Sequence, residues 1–163
     1  MGMVWQVVDD GALMDEACQA DLMRIVVETA YRAFGLRRVL LCLTDSSGRQ
    51  LVARYGLGLE SGLERFRLSL GGPDLFNVLL ARNADLLISD ADEPKVRSRL
   101  PAWYLESYFA RSFLIMPMRR GESVLGMLYA DQDTVGGIRI TDSELALLRT
   151  LRNQAVLALK MAR

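Results

Sequence analysis

The chain has 163 residues, enough for one domain that buries roughly 70% of the surface its unfolded form would expose, without a disulfide or metal staple. Lys plus Arg and Asp plus Glu number 20 each, so no global field draws the chain to nucleic acid or to an anionic membrane. Histidine is absent, which removes the commonest general base and metal ligand and a frequent haem ligand.

Two cysteines, Cys18 and Cys42, have no C-x-x-C partner, a pattern that favours a reduced compartment over a secreted disulfide framework. The start, MGMVWQVVDDGALMDEA, is too acidic and too short in apolar run for a signal peptide, and Met1-Gly2-Met3 carries no structural weight. No window approaches the ~18 apolar residues of a membrane helix. The expectation is a cytoplasmic protein with no cofactor, no metal, and neither nucleic acid nor membrane as a partner.

In chain order, Ala12 to Phe34 reads as a helix, with Leu22, Ile25, Val26, Thr29 and Ala33 at three- and four-residue spacing and Gly35 as the stop. Val39–Thr44 and Gln50–Tyr55 flank a Ser-Gly turn and predict a hairpin. Glu64–Leu70 alternates, placing Phe66, Leu68 and Leu70 on one side of a strand. Pro73-Asp74 opens a helix through Phe76 to about Arg82, and Leu86–Ile88 is a short strand. The polar stretch Ser89–Pro101 precedes a short aromatic helix, Ala102–Ala110. Phe113–Met118 and Val124–Ala130 then flank a four-residue turn, which predicts a hairpin buried on both faces. Thr141 and Glu144 form a capping box at the start of a final helix.

Several motifs fail on spacing. Gly56-Leu57-Gly58-Leu59-Glu60-Ser61-Gly62 is not a dinucleotide loop, because a strand follows where a helix N-terminus must hold the pyrophosphate. Asp131-Gln132-Asp133 imitates a calcium loop, but Val135 occupies a ligand position and the closing acid is Asp142. Asp90, Asp92 and Glu93 read as a solvated turn before a metal cluster. No base stands in a catalytic motif beside Ser, Thr or Cys, so an enzyme is not expected. The rings of Trp103, Tyr104, Tyr108 and Phe109 fit two readings equally, one wall of a ligand pocket or the seal of one sheet face. On the last helix, Leu145, Leu148, Leu151, Ala155, Val156 and Leu159 form the docking stripe. A weaker stripe of Leu147, Leu157, Ala158 and Met161 suggests a subunit contact and a homodimer.

The segments FLIMPM, Gly121, VLGMLY and TDSELALLRTLRNQAVLAL, in this order and spacing, resemble the C-terminal half of a GAF domain, and ISDADEP resembles the Asp-containing segment after that family's middle strand. The resemblance covers about residues 15–163, within one domain spanning 1–163. It implies an α/β (α+β) fold: a GAF-like, profilin-like antiparallel sheet of about six strands, N- and C-terminal helices on one face, and short helices roofing a pocket on the other. It also implies a non-enzymatic sensor of a bacterial signalling protein, binding an unidentified small molecule and relaying through its terminal helices. The alternative is a ligand-free dimerisation or protein-interaction module. Candidate ligand-contacting residues are Phe76, Asp90, Trp103, Tyr104, Tyr108, Phe113, Ile115 and Tyr129, and the candidate dimer or relay residues are Leu147, Leu157 and Met161. PDLFNVLLARNADLLISD further resembles GAF domains that follow an HD-related output domain, which implies other signalling domains in a larger protein. The family's Asn-Lys-x-Phe-Asp-Glu cyclic-nucleotide signature is missing, no Cys sits where a bilin attaches, haem-binding members use His, and the cysteines of its methionine sulfoxide reductases are not found.

Overall fold

Two apolar faces on the central strands decide the architecture. In β2 (Arg38–Thr44), Val39 and Leu41 alternate with Leu40 and Cys42, and all four are fully buried, so this strand needs cover on both sides. The computed structural model, which describes residues 5–7 and 17–161, supplies that cover as two separate cores.

The sheet is antiparallel throughout. Its path is β1 (Trp5–Val7), β3 (Gln50–Leu57), β2, β7 (Ser123–Gln132), β6 (Ser112–Arg120) and β5 (Leu86–Ile88), with β4 (Arg67–Ser69) pairing the free half of β3's outer edge. β6 and β7 form the expected hairpin. Phe113 and Ile115 face one core and Leu114, Met116 and Met118 the other. Pro117 lies within β6, and the register slips by one residue beside it, between Met118 and Arg119. Strand β5 stops pairing at Leu86 opposite Ile115. The edge at Pro117 therefore asks for no strand hydrogen bond, and its carbonyl accepts Arg152 Nη1 at 2.9 Å instead.

On one face lie α1 (Ala17–Ala33) and α5 (Asp142–Met161), packed on Val39, Leu41, Leu57, Leu114, Met116 and Leu128. The capping box of α5 forms as its sequence requires: Thr141 N donates to Glu144 Oε1 at 3.0 Å and Glu144 N to Thr141 Oγ1 at 3.1 Å. Leu148, Leu151 and Ala155 are its buried stripe. The buried stripe of α1 is Met23, Val26, Val27 and Ala30, one residue round from the expected one, and Ile25 points outward at 56% exposure. The portion of the expected helix before Ala17 lies outside the described residues.

The other face carries a roof: a 3-10 turn (Leu63–Arg65), β4, α2 (Leu75–Arg82), α3 (Pro94–Arg97) and α4 (Ala102–Ser107). The expected Glu64–Leu70 strand is thus shortened to three residues by the 3-10 turn, although Phe66 and Leu68 still point inward. Asp74, not Pro73, caps α2, accepting Asn77 N at 3.2 Å. Among the described residues no helix is long and apolar enough to cross a membrane.

Candidate functional site

The roof and the sheet meet in a cluster of aromatic rings. Phe66 comes from the turn before β4, Phe76 from α2, Trp103, Tyr104 and Tyr108 from α4 and its end, Phe113 from β6 and Tyr129 from β7. Phe66 is the hub, with centroids 5.0 Å from Trp103, 5.1 Å from Tyr108 and 4.9 Å from Tyr129. Most contacts are edge-to-face or tilted, and each adds about 0.5–1.5 kcal/mol beyond the area it buries. Six of the eight candidate ligand residues belong to this ring cluster, and Ile115 lies in the same core. Asp90 does not join them. Its Oδ1 accepts Asp92 N at 3.0 Å and closes a turn. Phe66 escaped the candidate set, although its inward place in an alternating segment was the available signal.

A polar string runs under the rings. The hydroxyls of Tyr104 and Tyr129 are 2.7 Å apart, and Tyr129 donates to Asp131 Oδ2 at 2.6 Å. With the Tyr129 proton committed to the carboxylate, Tyr104 must be the donor to Tyr129. Asp131 has no exposed surface. Arg37 Nε meets its Oδ1 at 3.1 Å, while Arg38 meets its Oδ2 through Nε at 2.9 Å and Nη2 at 2.6 Å. Arg38 also donates to the Tyr108 carbonyl at 2.8 Å and lies over the Tyr108 ring, 5.3 Å from its centroid. The chain of contacts therefore joins the roof helix to the first residue of β2, shortly after α1.

Burial sets the protonation of this string. It pushes the phenols of Tyr104 and Tyr129 above their usual range and that of Tyr108 up to about 12, so all three stay protonated donors near neutrality. Burial alone would lower the Arg38 guanidinium, but the hydrogen bond and charge of Asp131 outweigh it and hold Arg38 above its ordinary value. The only thiol in this core is Cys42, which is fully buried and raised by desolvation, so it is held as the unreactive thiol. Cys18 is exposed on α1. Among the described residues, no three His, Cys, Asp or Glu side chains could together hold a metal ion.

Of the dimer or relay candidates, Leu147 and Leu157 are 46% and 59% exposed on α5. The side chain of Met161 lies outside the described residues.

The model of the GAF domain family matches residues 20–159. Solved structures share the architecture at identities that establish the fold alone. The GAF domain/HD domain protein from Geobacter sulfurreducens superposes with a TM-score of 0.72 at 16% identity, covering 87% of this chain and 92% of its own. The GAF domain of an Acinetobacter phosphoenolpyruvate-protein phosphotransferase gives 0.68 at 15%, covering 91% and 94%. The free methionine-R-sulfoxide reductase of Neisseria meningitidis, solved with its substrate, gives 0.65 at 22%, covering 89% and 81%, so the fold also hosts an enzyme. Among curated proteins, none matches the chain. With the family model spanning most of the sequence and the sheet, terminal helices and roof in the family's arrangement, the chain belongs to the GAF domain family.

Proposed function

We propose that this GAF domain is a non-enzymatic sensory domain of a bacterial signalling protein and takes a small organic ligand on the aromatic face of its sheet. The observation that carries this reading is the Tyr104–Tyr129–Asp131 string beneath seven rings, a few directed polar groups within an apolar, aromatic lining. The ligand displaces part of the ring cluster, and Arg38 passes the change toward α1 and the terminal helices. Thermal-shift and native mass-spectrometric screens of the purified protein against nucleotides and metabolites are the test. A binder is expected to raise the melting temperature by linkage, about 2.7 kcal/mol at a hundredfold excess over Kd, and Tyr129→Phe is expected to blunt the response. A library without a single shift, together with no co-purifying mass, would sink the ligand reading.

A second reading has an observation of its own. The rings already occupy the space beneath the roof, with Tyr104, Phe113 and Tyr129 fully buried against one another, as suits a ligand-free interaction module. In both readings the exposed Leu147 and Leu157 stripe is the contact with a second copy. Light scattering is expected to give a dimer for wild type and a monomer for Leu147→Glu/Leu157→Glu, with little change in melting temperature because both side chains are exposed. A wild-type monomer would end the dimer proposal.

A further inference from the structure

A second site lies away from the rings, where the end of α2, the edge of β6 beyond β5, and α5 enclose a cleft of about 280 Å³. Its walls are almost wholly polar, and Asp85, Arg119, Arg152, Asn153 and Lys160 supply the chemistry.

The donors in this cleft outnumber its acceptors. Arg152 is held rigidly, with Nε on Asn153 Oδ1 at 2.8 Å, Nη1 on Asp85 Oδ1 at 2.7 Å and on the Pro117 carbonyl at 2.9 Å, and Nη2 on Asp85 Oδ2 at 3.3 Å. That leaves one N–H of Nη2 unused. Arg119 gives both Nη1 protons to the carbonyls of Leu80, at 3.2 Å, and Ala81, at 2.7 Å. Its side chain is only 11% exposed, its Nε is buried without any partner, and Nη2 stands 3.6 Å from Glu122 Oε2, too far for a hydrogen bond. The side-on fork of Arg119, the Nε and Nη2 pair that grips an oxyanion with two parallel bonds, is therefore unfilled. Lys160 is exposed and has no acceptor among the described residues. Asp85 cannot serve these donors, because Arg152 takes both its oxygens and Arg149 Nε shares Oδ2 at 3.1 Å.

Three cations, Arg119, Arg152 and Lys160, thus line the cleft with one carboxylate, Asp85, in a chain whose formal net charge is zero. The geometry points to a binding site for a small, multiply charged oxyanion, phosphate or the phosphate of a small metabolite. Its several lone pairs meet the unused N–H groups, its charge offsets the excess, and the protein's own acceptors have already fixed both guanidiniums. Such an anion ties α5 to β6 and the end of α2. The inference does not depend on a ligand beneath the rings.

The test is an NMR titration of the arginine Nε–Hε signals with inorganic phosphate, with glycerol phosphate and with chloride at matched ionic strength. Saturable shifts at Arg119 and Arg152 are expected with phosphate and absent with chloride. Tighter binding of glycerol phosphate marks a metabolite's phosphate as the occupant, and tighter inorganic phosphate marks the free ion. R119Q is expected to weaken binding at least tenfold. Because Arg119 also holds α2, K160Q is the second variant, expected to weaken binding at least threefold at an unchanged melting temperature, while E122Q, which removes a competing carboxylate, strengthens it. Linear shifts that chloride reproduces, or R119Q and K160Q binding phosphate as wild type does, would overturn the assignment.

Discussion

Asp131→Ala is expected to destabilise the domain by about 3–5 kcal/mol, because it strands Arg37, Arg38 and the Tyr129 hydroxyl around an empty position with no exposed surface. The cost arises from the groups left behind. Arg38 is largely buried and raised in pKa by this carboxylate, so it can neither re-solvate nor lose its proton near neutrality. Asp131→Asn keeps the volume and one acceptor but not the charge, so it falls between wild type and Ala. Pairing Asp131→Leu with Arg38→Met removes both charges and recovers part of the loss, which separates an unpaired-charge penalty from a packing defect. Urea unfolding of the four proteins is the measurement. A loss below about 1 kcal/mol for Asp131→Ala would mean that solvent screens the network as it does a surface pair.

Gly126→Ala is expected to cost more than about 3 kcal/mol, beyond the usual range for overpacking, or to prevent folding. A Cβ at this position would stand 2.0 Å from the Cys42 carbonyl oxygen and 2.8 Å from Met118 Cε. The methionine tip can move, but the carbonyl belongs to β2 at the centre of the sheet, so β2 and β7 must part. Gly121→Ala is the contrast. That glycine turns the same hairpin with φ 59° and open space around it, so the substitution strains the turn without touching the core. Circular dichroism and thermal melting distinguish the two, and a Gly126→Ala protein as stable as wild type would show that the strands separate freely.

These two positions also mark how far the sequence could be read. The Leu125-Gly126-Met127 step was visible as a family marker, and its physical reason, a backbone contact between strands 84 residues apart in number, appears only once β2 lies beside β7. Local chemistry was legible wherever it decided the outcome: the Thr141 and Glu144 capping box, the glycine after α1 and the two-faced β6–β7 hairpin all form as read. The facing of α1 was not, since Leu22 and Ile25 satisfy the helical period as well as Met23 and Val27 do. The sheet and α5 choose between them. Strand β1 was missed because its partner, β3, lies some fifty residues on, and three residues carry no periodicity. Trp103, Tyr104 and Tyr108 could be grouped because one short helix holds them, whereas nothing local to Arg38 or Asp131 links the two, which stand at the ends of different strands. Their burial is a product of topology, for β2 begins where β7 finishes.

The placement of the two tryptophans gives the molecule a practical property. Trp5 packs against the core under the terminal helices, while Trp103 lies within the ring cluster, 6.3 Å from Phe76 and nearly parallel to it. The domain therefore carries one tryptophan for each face of its sheet, which excitation at the red edge of the absorption band selects over the tyrosines. Trp5→Phe leaves an emission that reports on the roof alone, and Trp103→Phe leaves one that reports on the helix layer alone. The two single-tryptophan proteins can follow, without any label, whether an event on one side is felt on the other.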